Sequence, residues 1–410
     1  MENIANFEQE FKLSWFDKRC RQLVFSVFER LEDTLEVVEN GQITKFGLCQ
    51  PSHQQERLHG QIIIHDAKIY RDFIQGGSIG VAEGYIDKRW SSPDLTKIIR
   101  IFAKAQNLTD KIEAKSSWFN KVKNSLFHYV NRNSYKGAKK NILAHYDLGN
   151  ELYKRFLDPE MVYSAAIYPS KSSSLAQAQL HKLELICQRL NLKASDHLLE
   201  IGTGWGGLAI YAAQHYGCKV TTTTISEEQY QYAKARIEQL GLTQQITLLK
   251  EDYRNLTGQF DKLVSIEMIE AVGYQYMNSF FNQCNARLKP GGKMLLQAIT
   301  IADQRFEYYR NNVDFIQRYI FPGGFLPSIN LMTDKLNQQT DMVMEELHDI
   351  GLDYARTLAD WRNLFNQAWP ELKTLGFDEQ FKRLWLYYFA YCEGAFLERS
   401  ISTVHLIARK

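Results

Sequence analysis

Hydrophobic and polar positions change rhythm near residue 140, and that change organises the chain. Up to about residue 110, helical periods mix with short alternating stretches such as Gln61–His65, which predicts a small α+β domain. The glycines of Ile74–Tyr85 read as turns. Residues 111–140 read as a basic, helix-prone connector, and residues 141–410 as a larger domain. That domain opens on a helical period at Leu175, Leu180, Leu183, Ile186 and Leu190. Strands are then predicted at His197–Ile201, Lys219–Thr224, Ile246–Leu249, Lys262–Glu267 and Lys293–Ala298, the last after the turn Leu288–Gly292. Helices are predicted between them at Gly207–His215 and Glu227–Leu240, with Ser226 and Gln229 at capping-box spacing. Strand and helix alternating at this spacing imply a mostly parallel sheet covered on both faces.

Composition refines this picture. At 410 residues there is room for two or three cores, and 45% hydrophobic with 23% charged residues is an ordinary globular balance. No apolar run reaches the ~20 residues of a membrane-spanning helix. The longest, Leu384–Cys392, stops between Arg383 and Glu393. The first residues carry acids and lack a basic start followed by an apolar stretch, so a cytosolic protein without a secretory leader is expected. Cys20, Cys49, Cys187, Cys218, Cys284 and Cys392 are scattered, which suits a reducing compartment and excludes a cysteine-rich zinc site. The histidines show no metal spacing either, so no metal is expected.

The net charge of +2 says little, but its distribution says more. Lys111–Lys140 holds eight basic residues against one acid, interleaved with Trp118, Phe119, Phe127, Tyr129 and Tyr135. Such a mixture suits an anionic membrane surface, and a solvated linker is the plain alternative. No nucleic-acid motif accompanies it, so nucleic acid is not an expected partner.

The strongest chemical signal is Leu199–Gly207, LEIGTGWGG, where a predicted strand runs into clustered glycines and then a helix. Glycines there let the backbone turn sharply and a ligand approach the main chain. Glu200 stands two residues before G-x-G-x-G, and the loop carries no Lys or Arg. This pattern resembles the class I S-adenosylmethionine methyltransferases, whose adenosyl sulfonium has no phosphate to hold.

From Gly60 onward the chain resembles the cyclopropane-fatty-acyl-phospholipid synthases and the mycolic acid cyclopropane synthases. The markers are His145–Ser164, LEIGTGWGGLA, Thr224–Gln229, Glu251–Leu256, Ile266–Gly273, LKPGG, Tyr319–Ser328 and Cys392–Phe396. Eight blocks in order leave negligible room for chance. The resemblance implies a Rossmann-type class I methyltransferase domain with a smaller α+β N-terminal domain, acting on cis-alkenes of phospholipid acyl chains. It further implies a peripheral enzyme on the inner face of the cell membrane, and a homodimer. By motif, Tyr163, Ser164, Glu200, Gly202, Thr203, Gly204, Gly206, Thr224, Ile225, Gln229, Tyr253 and Arg254 would contact S-adenosylmethionine. The second strand ends TTTTIS, with no acid for the ribose hydroxyls, so Gln229 is the substitute, or only a helix cap.

An isolated alkene is a poor nucleophile, so it must be held against the methyl donor in a dry, aligned site. Attack leaves a cation on the chain, which aromatic faces tolerate. Phe306–Phe396 holds 19 aromatics in 91 residues, against 13% overall, and reads as the acyl-chain pocket. For the final deprotonation the family uses a bicarbonate ion. Its ligands would map to Glu270, Tyr354 and the amide of Ile299, with a Cys position occupied by Ala165 and a His position by Gln297. Two bases therefore remain open: bicarbonate held by the remaining groups, or Glu270 itself with its pKa raised by burial. Cys392 is expected to line the pocket. The altered base could also redirect proton loss, giving a methyl-branched alkene instead of a ring.

Overall fold

The computed structural model describes residues 10–47, 57–105 and 149–410. The basic connector and the start of the His145–Ser164 block lie outside the described residues. The chain forms two compact units, residues 1–123 with 369–400, and residues 124–368 with 401–410.

In the first unit, α1 (Trp15–Phe28) starts at a reciprocal capping box between Ser14 and Asp17. Strands β1 (Thr34–Glu39) and β2 (Gln42–Phe46) form a hairpin whose turn residues, Asn40 and Gly41, both have positive φ, as a tight two-residue hairpin requires. With β3 (His59–Ile64) and β4 (Trp90–Ser91) they make a sheet in the order β2-β1-β3-β4. Helix α2 (Ile69–Ile86) contains the glycines expected as turns. Only Gly77, at φ 54°, breaks the helix, whereas Gly80 and Gly84 serve close packing. A Cβ on Gly80 would fall 2.1 Å from the Asp72 carbonyl oxygen, and one on Gly84 2.3 Å from Ile69 Cδ1.

Helix α3 (Leu95–Lys104) packs against the last helix, Glu379–Leu397, which closes this unit from the far end of the sequence. Arg383 there donates to the carbonyls of Tyr85 and Trp90, and Thr96 Oγ1 donates to Glu393 Oε2 at 3.0 Å. Residues 369–400, expected in the larger domain, belong to the smaller one, tied there by these polar contacts and the ring packing of Tyr387 on Tyr85.

The second unit is a seven-stranded sheet with helices α4 (Asn150–Tyr153), α5 (Leu175–Arg189), α6 (Gly207–Tyr216), α7 (Glu227–Gln239), α8 (Met277–Arg287), α9 (Phe306–Asn311) and α10 (Ile329–Gln339). Helix α11 (Gly351–Thr374) holds residues of both units, and the last helix is α12. The strands are β5 (His197–Ile201), β6 (Lys219–Thr223), β7 (Ile246–Leu249), β8 (Phe260–Ile266), β9 (Leu288–Ile301), β10 (Val343–Asp349) and β11 (Ile401–Arg409). Their order is β10-β11-β9-β8-β5-β6-β7. β7, β6, β5, β8 and β9 pair in parallel, and β11 runs antiparallel to both its neighbours. Strand order reverses at β5, so the crevice beyond its carboxyl end is the natural ligand site of such a sheet. Apolar residues pack on both faces, Leu198, Val220 and Val264 to one and Leu199, Leu263 and Leu296 to the other, which is why these strands read as continuous apolar runs.

The approach of α12 to α3 gives a direct test. A Cβ on Gly394 would lie 2.7 Å from Ile99 Cγ2 and 3.0 Å from its Cβ, with no flexible atom to yield. Gly394→Val should cost about 1–3 kcal/mol through overpacking. Urea denaturation with an unchanged midpoint would contradict this packing.

Candidate active site

The glycine loop leaves β5 with Gly202, Gly204 and Gly206 at φ 104°, 53° and 92°, a conformation that side chains resist. A Cβ on Gly204 would meet nothing within 4 Å, so this backbone faces open space, whereas Gly206 and Gly207 are pressed against Ala233 and the Glu160 carbonyl. Gly202, Gly204 and Gly207 also satisfy the dinucleotide spacing G-x-G-x-x-G, so spacing alone does not select the ligand. Beneath the loop, Glu200 is fully buried and accepts from Thr222 Oγ1 at 2.5 Å, and Thr222 in turn lies 2.7 Å from Thr203 Oγ1. Glu200 thus braces the loop from below. Burial pushes its carboxyl up from 4.5 to about 8.

Beyond β6, Thr224 Oγ1 donates to Gln229 Oε1 at 3.0 Å. Ser226 caps α7 by accepting from the Gln229 N–H, but the Gln229 side chain does not return the bond as a capping box would. It is spent on Thr224, at the rim of the crevice and next to Ile225. Arg254 forms a two-point pair with Asp252, at 2.8 and 2.6 Å, and stacks near the rings of Tyr253 and Tyr276.

A second cluster sits where β8 ends. Glu267 adopts φ 47°, a left-handed backbone rare for a glutamate, and its side chain is half-buried. One oxygen accepts from the Ala165 N–H at 2.9 Å and from Gln297 Nε2 at 2.7 Å; the other accepts from the Tyr354 hydroxyl at 2.9 Å. The orientation of Gln297 follows from its neighbours. Arg189 has only donors, so His405 Nδ1, 2.5 Å away, must accept. Burial and Arg189 hold His405 far below its usual pKa, so it is neutral with its proton on Nε2. That proton goes to Gln297 Oε1 at 2.8 Å, leaving the amide NH2 for Glu267.

Glu270 receives one hydrogen bond, from the Ile299 N–H at 2.5 Å, and its Oε2 has no partner among the described residues. Burial first, and the charge of Glu267 second, push it up to about 8. Lys182 is wholly buried nearby, donating to Ser164 Oγ at 2.8 Å; desolvation lowers it to about 8 while Glu267 and Asp158 pull it back up.

Aromatic rings extend from this cluster. Tyr354 packs edge-on to Trp361, Trp361 lies 5.1 Å from Tyr163, and Tyr163 meets Tyr153 and Phe156. Of the rings expected in the acyl pocket, Phe315, Tyr354 and Trp361 are buried in this unit and Tyr309 is partly buried. Trp385, Tyr388, Phe389 and Cys392 instead belong to the first unit, on α12, where the three rings pack against one another. Among the described residues no group of side chains is arranged to hold a metal ion, and no helix is long and apolar enough to cross a membrane.

The mycolic acid cyclopropane synthetase family profile matches residues 133–406. The chain belongs to that family. It is 37% identical to tuberculostearic acid methyltransferase UfaA1 of Mycobacterium tuberculosis (strain ATCC 25618 / H37Rv), over 78% of this chain and 76% of that one. It is also 37% identical to the cyclopropane-fatty-acyl-phospholipid synthase of Escherichia coli (strain K12), over 83% of this chain and 85% of the relative. Among solved structures, mycolic acid cyclopropane synthase CmaA1 complexed with SAH and CTAB superposes with a TM-score of 0.62 at 26% identity, covering 66% of this chain and 98% of that one. The protein is an S-adenosylmethionine-dependent methyltransferase.

Within this family fold Glu270 is legible from the sequence motif, whereas Glu267, Lys182, His405, Arg189 and Asp252 emerge only from the structure. The one available signal was the pair of acids at the end of β8, Glu267 and Glu270, three residues apart. The family loop also yields a pH prediction. Glu200 has a folded pKa above its unfolded value, so its contribution is fully present below about 4.5 and is lost as pH rises towards about 8. Glu200→Gln should therefore gain stability relative to the parent protein between pH 5 and 8, by up to about 1.4 kcal/mol per pH unit. Parallel melting-temperature profiles for the two proteins would refute that assignment.

Proposed function

We propose that this enzyme transfers the methyl carbon of S-adenosylmethionine to the cis double bond of an unsaturated phospholipid acyl chain. Loss of one proton then gives a cyclopropane fatty acyl chain. The observation that carries this reading is a buried carboxylate pair continuous with a wall of rings, Tyr354, Trp361, Tyr163 and Phe156. Such a site keeps water out, tolerates a cation on the acyl chain through the ring faces, and keeps a proton acceptor at hand. The names of the two relatives, a fatty-acyl-phospholipid synthase and a tuberculostearic acid methyltransferase, support a lipid chain as acceptor.

S-adenosylmethionine, when bound, supplies an electrophilic methyl on a sulfonium. The residues present fit it: the open backbone at Gly204, the neutral hydroxyl and amide of Thr224 and Gln229, and the loop without basic side chains suit a ligand that lacks phosphate. Gly202, Gly204, Gly206, Thr224, Ile225 and Gln229 would hold it, together with Tyr163 of the ring wall. The phospholipid would be met at an anionic bilayer surface, with the basic residues of 111–140 as the docking element.

A second product is favoured by a specific observation. Ala165 and Gln297 stand where the resemblance expects Cys and His, so the proton acceptor is built differently. Loss of a proton from a neighbouring chain carbon would leave a methyl-branched alkene. Purified enzyme, methyl-labelled S-adenosylmethionine and vesicles of cis-monounsaturated phospholipid should give labelled acyl chains with upfield cyclopropyl protons by NMR. Olefinic signals with a new methyl would establish the second product, and no label in lipid would sink both.

A further inference from the structure

We infer that the Glu267 carboxylate is the enzyme's own base, occupying the place at which the family resemblance would put a bicarbonate ion. This rests on the proposed alkylation of an alkene. The groups that would hold a separate anion are already engaged. Tyr354, Gln297 and the Ala165 amide all donate to Glu267, and the Ile299 amide donates to Glu270. A free bicarbonate therefore does not fit this arrangement. The same geometry explains how the site dispenses with a thiol at Ala165 and an imidazole at Gln297. A carboxylate tethered to the chain needs fewer groups to localise it, because its translational freedom is already lost.

Three further features single out Glu267. First, its φ of 47° is left-handed, a backbone that side chains resist and the kind of strain that persists where function requires it. Second, the neighbouring carboxyls divide their roles. Glu270 has one donor and an unpartnered oxygen, and burial with the charge of Glu267 pushes it up to about 8. Burial raises Glu267 too, but its three donors and the Lys182 charge oppose that rise, so the negative charge is better held on Glu267. Third, the Arg189–His405–Gln297 relay fixes the amide so that a donor always faces Glu267.

The step itself balances simply. A Glu267 oxygen takes one proton from the cationic acyl chain. The bonding pair of that C–H closes the three-membered ring if the proton leaves the added methyl, or forms a new C=C if it leaves a chain carbon. The carboxylic acid then returns its proton to water when product departs.

Glu267→Gly is the informative variant, because a glycine accepts the existing backbone and frees all three donors. In buffer purged of carbon dioxide, the parent enzyme should label lipid at full rate. Glu267→Gly should fall about 100-fold or more, and added bicarbonate should restore it saturably. Glu267→Gln, which fills the space without a charge, should be equally slow and not rescued. Carbon-13 NMR should detect labelled bicarbonate bound to Glu267→Gly and not to the parent. Calorimetric binding of S-adenosylmethionine, unchanged in all three, certifies folding. Parent activity that requires bicarbonate, bicarbonate bound to the parent, or full activity of Glu267→Gly in purged buffer would overturn the inference. A parent enzyme that labels no lipid would instead defeat the proposed function, while the NMR arm would still decide who occupies the site.

Discussion

A carboxylate taken out of water must be met by donors, and the Glu267 carboxylate sets that requirement for much of the larger unit. Losing hydration costs several kcal/mol, and each charge-assisted hydrogen bond returns about 1.5–3 kcal/mol. Three donors therefore have to converge from separate parts of the chain. The Tyr163–Ala165 segment brings a main-chain N–H, β9 brings Gln297, and α11 brings Tyr354. β11 and α5 contribute one step further out, through His405 and Arg189. The antiparallel strand β11 beside β9 is what places His405 directly opposite Gln297.

The environment of this centre is as important as its charges. The ring wall running from Tyr354 through Trp361 to Tyr163 lowers the local dielectric, which strengthens every nearby electrostatic contact and also raises the carboxyl pKa values. An acyl cation in such surroundings is met by ring faces and not by water, so its fate depends on which hydrogen the nearest carboxylate reaches. Ring closure and branching differ only in that choice.

Much of the architecture could be read from the residues. β5 and β7 match their predicted bounds, and β6 and α6 differ by one residue, because an apolar run ended by glycine or a capping serine has few alternatives. The glycine loop was equally legible. Less so was α2, where glycines that look like turn formers let helix and neighbours approach closely, a tertiary fact invisible locally. The allegiance of α12 to the first unit was hidden for the same reason: Arg383 and Glu393 find their partners about 300 residues away in sequence. At the site, the resemblance pointed to Glu270, while Glu267 three residues earlier read as the end of a strand. Only the fold reveals that Tyr354 and Gln297 turn towards it.

The central claim is that Glu267 is ionised within its ring of donors at neutral pH. Infrared difference spectroscopy between the parent enzyme and Glu267→Gln tests this directly. The account predicts that the variant loses the antisymmetric stretch of an ionised carboxylate. Loss of the carbonyl stretch of a protonated, hydrogen-bonded acid instead would contradict it, because a residue that already holds its proton cannot act as the base.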